Sequence, residues 1–310
     1  MSLLNKFSQM FSKQTTDAQI GVALNRHGLA YCHVSKGRIK DAQQLNLVDN
    51  SYEKTLQMLS ASLGLAGECQ LVLAPSEYQI VQIDRPNVSE EEMNQALKWQ
   101  IKELVSIAPE DMVVDYFDGP TLAGGMQKLN VVCASKNELA RYVQALHQNN
   151  LTLSSINIEE FAFAQLLPEQ SDAHLLLVQQ PNEELVILIV KQGQLFFYRR
   201  LRGFSELAQK TQDELAFGMV DSISLEIQRS TDFFERQLKQ APIKSIKVLI
   251  PNENEAFIAR KLSENTNIAV EMLSMPEPYT NYRTYATSVG LLADHKAQEV
   301  VMDETQEAQA

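Results

Sequence analysis

The sequence predicts an α/β protein made of two similar halves, each a mixed β-sheet with helices on its faces. The main observation is a repeat: residues 20–45 and 176–201 align at a constant offset without a gap, and each predicts three short strands joined by two tight turns. Both stretches are followed by alternating helices and strands, an order that places helices against a sheet. A length of 310 residues with 45% apolar residues is enough for two domains with their own cores.

Equivalent residues lie at equivalent points of the two predicted meanders, and the second turn of each contains a glycine in the same place. The aligned pairs are Val22 with Val178, Leu29 with Leu185, Val34 with Val190, Gly37 with Gly193, Ile39 with Leu195 and Leu45 with Leu201. A repeated meander within one chain indicates a duplicated sheet domain.

Helices and strands fill the rest of the chain. In the first half we predict helices at 51–63, 89–104, 137–148 and 159–166, and strands at 69–74, 78–83, 111–118, 127–134 and 153–158. In the second half we predict helices at 213–239, 255–263 and 285–293, and strands at 246–250 and 268–273. The long helix carries an apolar row of Ala216, Val220, Ile223, Ile227, Phe234 and Leu238.

The helix that opens at Ser89 presents two different faces. Ser89 and Glu92 have the spacing of a capping box. The face that we expect to be buried consists of Met93, Ala96, Leu97, Ile101 and Leu104. Trp99 lies about 200° from the middle of that stripe at ~100° per residue. It must therefore cover another surface, which is either a permanent contact with the strand near Tyr78 and Ile80 or a partner protein.

Composition and charge exclude several classes of function. The net charge of −12 argues against nucleic acid as a partner, because phosphate backbones are bound through clustered Lys and Arg. Cys32, Cys69 and Cys133 are odd in number and widely spaced, which predicts buried thiols in a reducing compartment. The longest apolar run, residues 185–190, is far shorter than the ~20 residues of a membrane-spanning helix. No signal peptide is recognisable, so we expect a cytoplasmic protein.

The two ends differ from the middle of the chain. Residues 1–16 predict an amphipathic leader, with Lys6 and Lys13 away from its apolar face. The apolar face consists of Leu3, Leu4, Phe7, Met10 and Phe11. This helix either packs on the body of the protein or makes a peripheral membrane contact on anionic lipid. Residues 294–310 are polar, and most of their charged side chains are acidic, which predicts a disordered tail.

The order of elements resembles the duplicated ribonuclease-H-like fold of the actin and sugar-kinase superfamily. Residues 89–117, 130–163 and 225–237 resemble the PilM-type type IV pilus assembly proteins, in which an acidic cap, a helix with a Trp, a proline-containing turn and an Asp-Tyr strand recur in that order. The resemblance covers residues 17–293. The short body and the amphipathic start are most similar to the MshI branch, which serves the mannose-sensitive haemagglutinin (MSHA) pilus.

This resemblance implies an α/β actin-like fold of two domains with a small inserted subdomain. The implied first domain spans residues 17–167 and contains the inserted subdomain at about 86–134. The implied second domain spans residues 168–293.

The resemblance also implies a nucleotide site, because PilM-type proteins bind ATP between their two halves through an Asp-x-Gly turn in each repeat. Small residues there let backbone N–H groups approach phosphate, and the Asp holds metal or water. In this sequence the corresponding positions are occupied by Ala23 and Asn25 in the first turn and by Gln179 and Pro181 in the second. Pro181 has no N–H to donate.

Other parts of the implied nucleotide site depart from the family pattern as well. Glu183–Glu184 would place two carboxylates against a polyphosphate, and Pro251–Asn252 replaces a glycine pair. The remnant of the adenosine loop is the small-residue start of the last helix, Ala286, Ser288 and Gly290. We expect Gly290 to pack helices rather than to contact adenine. We therefore expect no cofactor, with ATP binding as the alternative and Arg26 as the residue that could rescue it.

The sequence shows no catalytic or metal-binding constellation. The five histidines are scattered, and no two stand at ligand spacing on one predicted element. His33 and His174 lie in predicted strands and are expected to be structural, and Ser35 and Ser76 are ordinary turn serines. A sugar kinase would require an Asp base and intact phosphate turns. We therefore expect no bound metal and no enzymatic activity.

The resemblance implies a protein partner. A PilN-type inner-membrane protein would dock its cytoplasmic tail between the inserted subdomain and the first repeat, with Trp99, Tyr78 and Ile80 as the expected contacts. The resulting scaffold would tie the cytoplasmic motor and platform to the periplasmic assembly. In the alternative, the nucleotide state of an ATP-binding member gates this docking. The inserted subdomain could also mediate self-association.

Overall fold

The computed structural model describes residues 18–63, 67–121, 127–148 and 150–293. The predicted leader, residues 1–16, and the predicted acidic tail, residues 294–310, lie outside the described residues. The described residues form two five-stranded sheets and one three-stranded sheet.

The elements alternate along the chain much as the sequence predicts. The first half comprises β1 (Ala18–Asn25), β2 (Gly28–Ser35), β3 (Arg38–Asn46), α1 (Tyr52–Leu63), β4 (Gly67–Leu73), β5 (Tyr78–Asp84), α2 (Glu90–Ile101), β6 (Met112–Thr121), β7 (Gln127–Ser135), α3 (Lys136–His147), β8 (Leu151–Ile158) and α4 (Glu159–Ala164). The second half comprises β9 (His174–Val178), β10 (Leu185–Lys191), β11 (Gln194–Leu201), α5 (Gln212–Glu214), α6 (Val220–Asp232), β12 (Ser245–Leu249), α7 (Glu255–Asn265), β13 (Ala269–Met272) and α8 (Ala286–Gly290).

The two five-stranded sheets have the same topology. Their strand orders are β3-β2-β1-β4-β8 and β11-β10-β9-β12-β13, with the three strands of each meander antiparallel and the other two joined in parallel. The pairing register shifts at His33/Val34 in one meander and at the aligned Ile189/Val190 in the other. The second turns contain Gly37 at φ +66° and Gly193 at φ +68°. The duplicated α/β fold predicted from the repeat is confirmed.

Each large sheet is covered on both faces. One face of the first sheet packs under α1 and α3, and one face of the second packs under α6 and α7. The remaining faces meet in a shared apolar cluster that includes Phe163, Leu176, Leu188 and Val289. Burial on both faces explains why β10 is an uninterrupted apolar run. It also encloses the thiols: Cys32, Cys69 and Cys133 are buried, as predicted, and burial raises the pKa of Cys69 to about 12.

The three-stranded sheet, in the order β5-β7-β6, lies between β4 and α3 in the chain. Helix α2 covers it through Met93, Leu97 and Ile101, which pack on Val131 and Cys133. We call these three strands and α2 the inserted sheet.

Three expectations about α2 are wrong. The helix ends at Ile101 rather than Leu104, and Leu104 is 58% exposed instead of buried. The chain folds back at this point, so that Val105 and Ile107 contact the apolar core in its place. The capping box is not formed, because the Ser89 hydroxyl lies 3.1 Å from the Glu92 carboxylate and not against a backbone N–H.

The long helix predicted at 213–239 is interrupted. Phe217 and Gly218 leave helical geometry, with Gly218 at φ +94°, and the chain kinks between α5 and α6. The kink turns Ala216 outward, although we expected it in the buried row, and leaves Phe217 95% exposed. The other five members of that row are buried. The last helix is also shorter than the predicted 285–293, since α8 ends at Gly290.

Candidate functional site

The turn between β1 and β2 is held in shape by its own polar groups. The Asn25 side chain accepts a hydrogen bond from the His27 N–H at 3.1 Å, and the Asn25 carbonyl accepts one from the Tyr52 hydroxyl at 2.9 Å. Ala23, one of the two positions where the family resemblance implies Asp, is fully buried against Val72 and Ala162. No polar group stands at this position to hold a metal ion or water.

The second turn, residues 179–184, is also internally bonded. The Gln179 amide donates to the carbonyls of Glu183 and Phe204, both at 2.7 Å. The Glu184 carboxylate accepts the Phe204 N–H at 2.9 Å. Pro181 contributes no N–H to the turn. The polar groups of this turn are therefore largely occupied, by partners within the turn and by the backbone of Phe204.

A hydrogen bond joins the two turns across the cleft between the halves. The Arg26 N–H donates to Glu183 Oε1 at 2.5 Å. Glu183 is only 5% exposed, and burial is the main cause that raises its pKa. A phosphate group does not fit at the Arg26 N–H, because a buried carboxylate already accepts its hydrogen bond.

The small residues of α8 make close backbone contacts. A Cβ atom at Gly290 would lie 1.9 Å from the Ala162 carbonyl oxygen in α4, and one at Gly21 would lie 1.7 Å from the Ser288 carbonyl oxygen. These distances are far below van der Waals contact, so α8 packs directly on α4 and β1. Gly290 therefore occupies a helix-packing position.

A buried charged network joins α4, β11, the inserted sheet and the second turn. Arg200 Nη1 lies 2.6 Å from Glu159 Oε1, and Arg200 Nη2 lies 3.1 Å from Glu160 Oε1. The Tyr78 hydroxyl donates to Glu160 at 2.7 Å, and the Gln180 amide donates to Glu159 at 2.6 Å. We call these residues the Arg200 network.

The Arg200 network holds two carboxylates almost completely out of solvent. Glu159 is 1% exposed and Glu160 is 2% exposed. Burial and the neighbouring charge of Glu159 raise the pKa of Glu160 to about 7, and Arg200 opposes this shift. Two adjacent buried carboxylates need a cation, which here comes from the other half of the molecule.

A groove of about 590 Å³ lies between the first sheet and the inserted sheet. Tyr52 and Tyr142 pack edge to face at 6.2 Å, and the Tyr142 hydroxyl donates to Glu77 at 2.6 Å. Charged residues of both signs lie along it, namely Arg26, Glu53, Glu77, Glu138 and Arg141. The sequence gives no sign that Tyr52, Tyr142 and Arg141 share a site, because they lie on two helices that are far apart in the chain.

The predicted partner contacts fall at different places. Tyr78 lines the groove, but its hydroxyl is committed to Glu160. Ile80 is half-buried against the core of the first half. Trp99 is 62% exposed, with Lys102 Nζ 4.7 Å from the centre of its ring, and it does not line the groove. The permanent contact between Trp99 and the strand near Tyr78 and Ile80 is therefore not made.

The histidines have the structural role expected of them. His174 is buried, and its Nδ1 lies 2.8 Å from the Ser245 hydroxyl, while His33 is buried within β2. Within the ranges that the structure describes, no group of three or more potential ligands could hold a metal ion. Nor does any helix in the described part of the chain have the length and apolarity needed to cross a bilayer.

Comparison with solved structures identifies the fold. The chain is similar to a structure of the PilM–PilN type IV pilus biogenesis complex, with a TM-score of 0.62 and 16% identity over 88% of this chain and 97% of that one. It is also similar to the cytoplasmic domain of EpsL, an inner-membrane component of the type II secretion system of Vibrio cholerae (TM-score 0.52, 11% identity, 89% and 96% covered). A Bacteroides thetaiotaomicron protein with an actin-like ATPase fold and unknown function matches with a TM-score of 0.50 at 11% identity (89% and 97% covered).

The protein thus has an actin-like ATPase fold. The resemblance inferred from the element order is confirmed at the level of the fold. No known protein-family profile matches the sequence, and no curated protein does either.

Proposed function

We propose that the protein is a non-catalytic scaffold of type IV pilus biogenesis that binds the cytoplasmic tail of a PilN-type inner-membrane protein. The observation that carries this proposal is the groove between the first sheet and the inserted sheet. It lies where the family resemblance implies that the tail docks. The similarity to the PilM–PilN complex supports the same assignment.

The groove has the chemistry of a peptide site. Tyr52 and Tyr142 offer ring surface at one side, and Arg26 and Arg141 offer cations at the same opening. The Gln79 side chain is bonded to Ser106, which fixes the β5 side of the groove. An extended peptide with an apolar side chain between polar groups suits such a surface, because aromatic and Arg residues supply most interface energy.

The proposal also covers the type of pilus, the location of the protein and the role of Trp99. The MshI branch and the MSHA pilus follow from the short body and the amphipathic residues 2–14. We place the protein at the cytoplasmic side of the inner membrane, in contact with the pilus motor or platform. Trp99, exposed on α2, is proposed as a second partner contact or a self-association contact outside the groove. We propose no cofactor and no enzymatic activity.

The experiment is a titration with the cytoplasmic tail peptide of a PilN-type protein from the same organism, followed by anisotropy of a dye on the peptide. Tyr142→Ala and Arg141→Ala should each weaken binding by about 1–3 kcal/mol, the range of interface anchors. Lys261→Ala, on α7 in the second half, is the control for the loss of a cation away from the groove. Wild-type protein that does not bind the peptide would refute the proposal.

Trp99 distinguishes the two surfaces in the same titration. If docking extends from the groove to α2, the emission of Trp99, the single tryptophan, shifts on peptide addition and Trp99→Ala weakens binding. Unchanged emission together with wild-type affinity of Trp99→Ala would exclude Trp99 from the site. If binding changes with ATP and magnesium, the nucleotide-gated alternative replaces the scaffold.

A further inference from the structure

We infer that the Glu183 carboxylate takes the place of a nucleotide phosphate in this protein and holds the two halves together through the backbone of the first turn. The inference deepens the non-catalytic part of the proposed function and does not depend on which partner occupies the groove. It follows from the disagreement between the fold, which implies a nucleotide, and the residues found at the cleft.

The contact crosses the cleft from one repeat to the other. Arg26 and Glu183 are 157 positions apart, and the Arg26 N–H donates to Glu183 Oε1 at 2.5 Å. A hydrogen bond from a backbone N–H to a carboxylate is charge-assisted, and is therefore stronger than one between neutral groups. Exposed N–H groups of a turn are also the donors that bind anions in many proteins. The Glu183 oxygen thus occupies the position at which an anion would be bound.

Glu183 is fixed in place by its own turn. Its N–H donates to the Gln180 carbonyl at 3.1 Å, and its carbonyl accepts from the Gln179 side chain at 2.7 Å. The Gln179 N–H is bonded in turn to the carbonyl of Leu249 at the end of β12. The position of the Glu183 carboxylate is therefore fixed by hydrogen bonds to the second sheet, unlike that of a free side chain on the surface.

The surroundings of Glu183 oppose a second anion. The buried carboxylate of Glu159 lies close enough to raise the pKa of Glu183 further, beyond the larger effect of burial. Arg200, a half-buried cation nearby, is committed to Glu159 and Glu160. A polyphosphate at the Arg26 N–H would therefore meet two buried carboxylates, which is unfavourable in a site of low dielectric. The exposed Arg26 guanidinium near Glu183 is the cation that would offset part of this repulsion.

The hydrogen bond between Arg26 and Glu183 differs from a bound nucleotide in how long it persists. A nucleotide closes the cleft only while it is bound, whereas Glu183 is always present. The closed arrangement of the two halves is therefore expected to be permanent and independent of ligand.

The first test measures amide hydrogen exchange of Arg26 by NMR in the full chain. Glu183→Ala should speed exchange at Arg26 by about 10- to 100-fold, as expected for the loss of a charge-assisted hydrogen bond. Glu184→Ala is the matched control, because it removes the same charge one residue away. The Glu184 carboxylate accepts the Phe204 N–H within its own half and not a group across the cleft. Equal exchange at Arg26 in the two variants would overturn the inference.

Glu183→Gln is the second variant, in case Glu183→Ala fails to fold. Gln keeps the size and shape of the Glu side chain and an oxygen that can accept a hydrogen bond. The neutral acceptor should give exchange at Arg26 that is faster than in the wild type and slower than in Glu183→Ala. Exchange unchanged from the wild type would mean that the charge of Glu183 does not hold the turn, which contradicts the inference.

The second test is calorimetry with inorganic pyrophosphate as the anionic probe. Wild type and Glu184→Ala should show no binding, and Glu183→Ala should show saturable binding, because the Arg26 N–H is then free. Pyrophosphate binding by the wild type, or no binding by Glu183→Ala, would contradict the inference that Glu183 takes the place of a phosphate. A different result would refute the proposed function, namely that the wild type does not bind the peptide.

Discussion

Replacing Arg200 by methionine tests the Arg200 network directly. The change keeps an unbranched side chain of similar length and removes the cation from Glu159 and Glu160, which are 2.6 Å and 3.1 Å from the guanidinium. Both carboxylates are almost fully buried, so solvent does not replace the lost partner. Arg199→Met is the matched control. Arg199 is the neighbouring residue on the same strand, and it forms a partly exposed ion pair with Glu226.

The magnitude follows from burial. Removing one partner of a buried ion pair costs about 3–5 kcal/mol of unfolding free energy. Tyr78 and Gln180 still donate to the two carboxylates, which places the expected loss near the lower end, about 3 kcal/mol. The partly exposed pair of Arg199 with Glu226 should be worth only about 0–1 kcal/mol.

The loss should depend on pH in a defined direction. The folded-state pKa of Glu160 is raised to about 7, so its contribution to stability is present below the unfolded value of about 4.5 and is lost as pH rises through 7. Arg200 opposes that shift, and its removal raises the pKa further. Arg200→Met should therefore be more destabilised relative to wild type at pH 8 than at pH 5.5.

The assay is urea unfolding followed by far-ultraviolet circular dichroism at pH 5.5 and pH 8. Arg200→Met should unfold at lower urea than Arg199→Met at both pH values, with the larger gap at pH 8. Equal midpoints for the two variants would refute the role of the network. A gap that widens on acidification would refute the electrostatic explanation.

Three further predictions concern the cleft, the leader and the packing of α8. Calorimetry of the wild type with ATP and magnesium should show no heat of binding at millimolar ligand, and a saturable isotherm would restore the ATP-binding alternative. The full chain should sediment weakly with anionic vesicles, less so in salt, because Lys6 and Lys13 contribute roughly 1 kcal/mol each; equal sedimentation of a chain starting at Thr15 would contradict lipid contact. Gly290→Ala should lower the unfolding free energy by about 1–3 kcal/mol through its clash with Ala162, and an unchanged urea midpoint would count against that packing.

The sheets could be predicted from the sequence because their signals are local. Strands buried on one or both faces have an apolar pattern that shows within a few residues, and the repeat adds an internal copy of the same signal. Even the register shift at His33/Val34 has its counterpart at the aligned Ile189/Val190. The break at Phe217–Gly218 was also visible as a glycine inside a helical pattern, but the apolar row around it favoured a continuous helix.

The Arg200 network could not be predicted, because its members are far apart in the chain. Tyr78, Glu160 and Arg200 come from a strand of the inserted sheet, a short helix and an edge strand. In the sequence Arg200 stands beside Arg199 as a basic pair on a strand end, which gives no sign that one is buried and the other is not. The adjacent Glu159 and Glu160 at the start of an otherwise apolar helix were the available signal, since two carboxylates in such a setting need a partner.

Tyr78 connects the groove with the second half of the molecule. Its ring lines the groove, while its hydroxyl donates to Glu160 and lies 3.5 Å from Arg200 Nη2. A peptide that displaced Tyr78 would leave Glu160 without that donor in a buried site, which is costly. The groove wall at Tyr78 is therefore expected to be preformed, and a preformed wall reduces the entropy lost on binding. For a peptide bound as proposed, contact with the second half would then pass through Tyr78 and Arg200, two side chains of the protein itself.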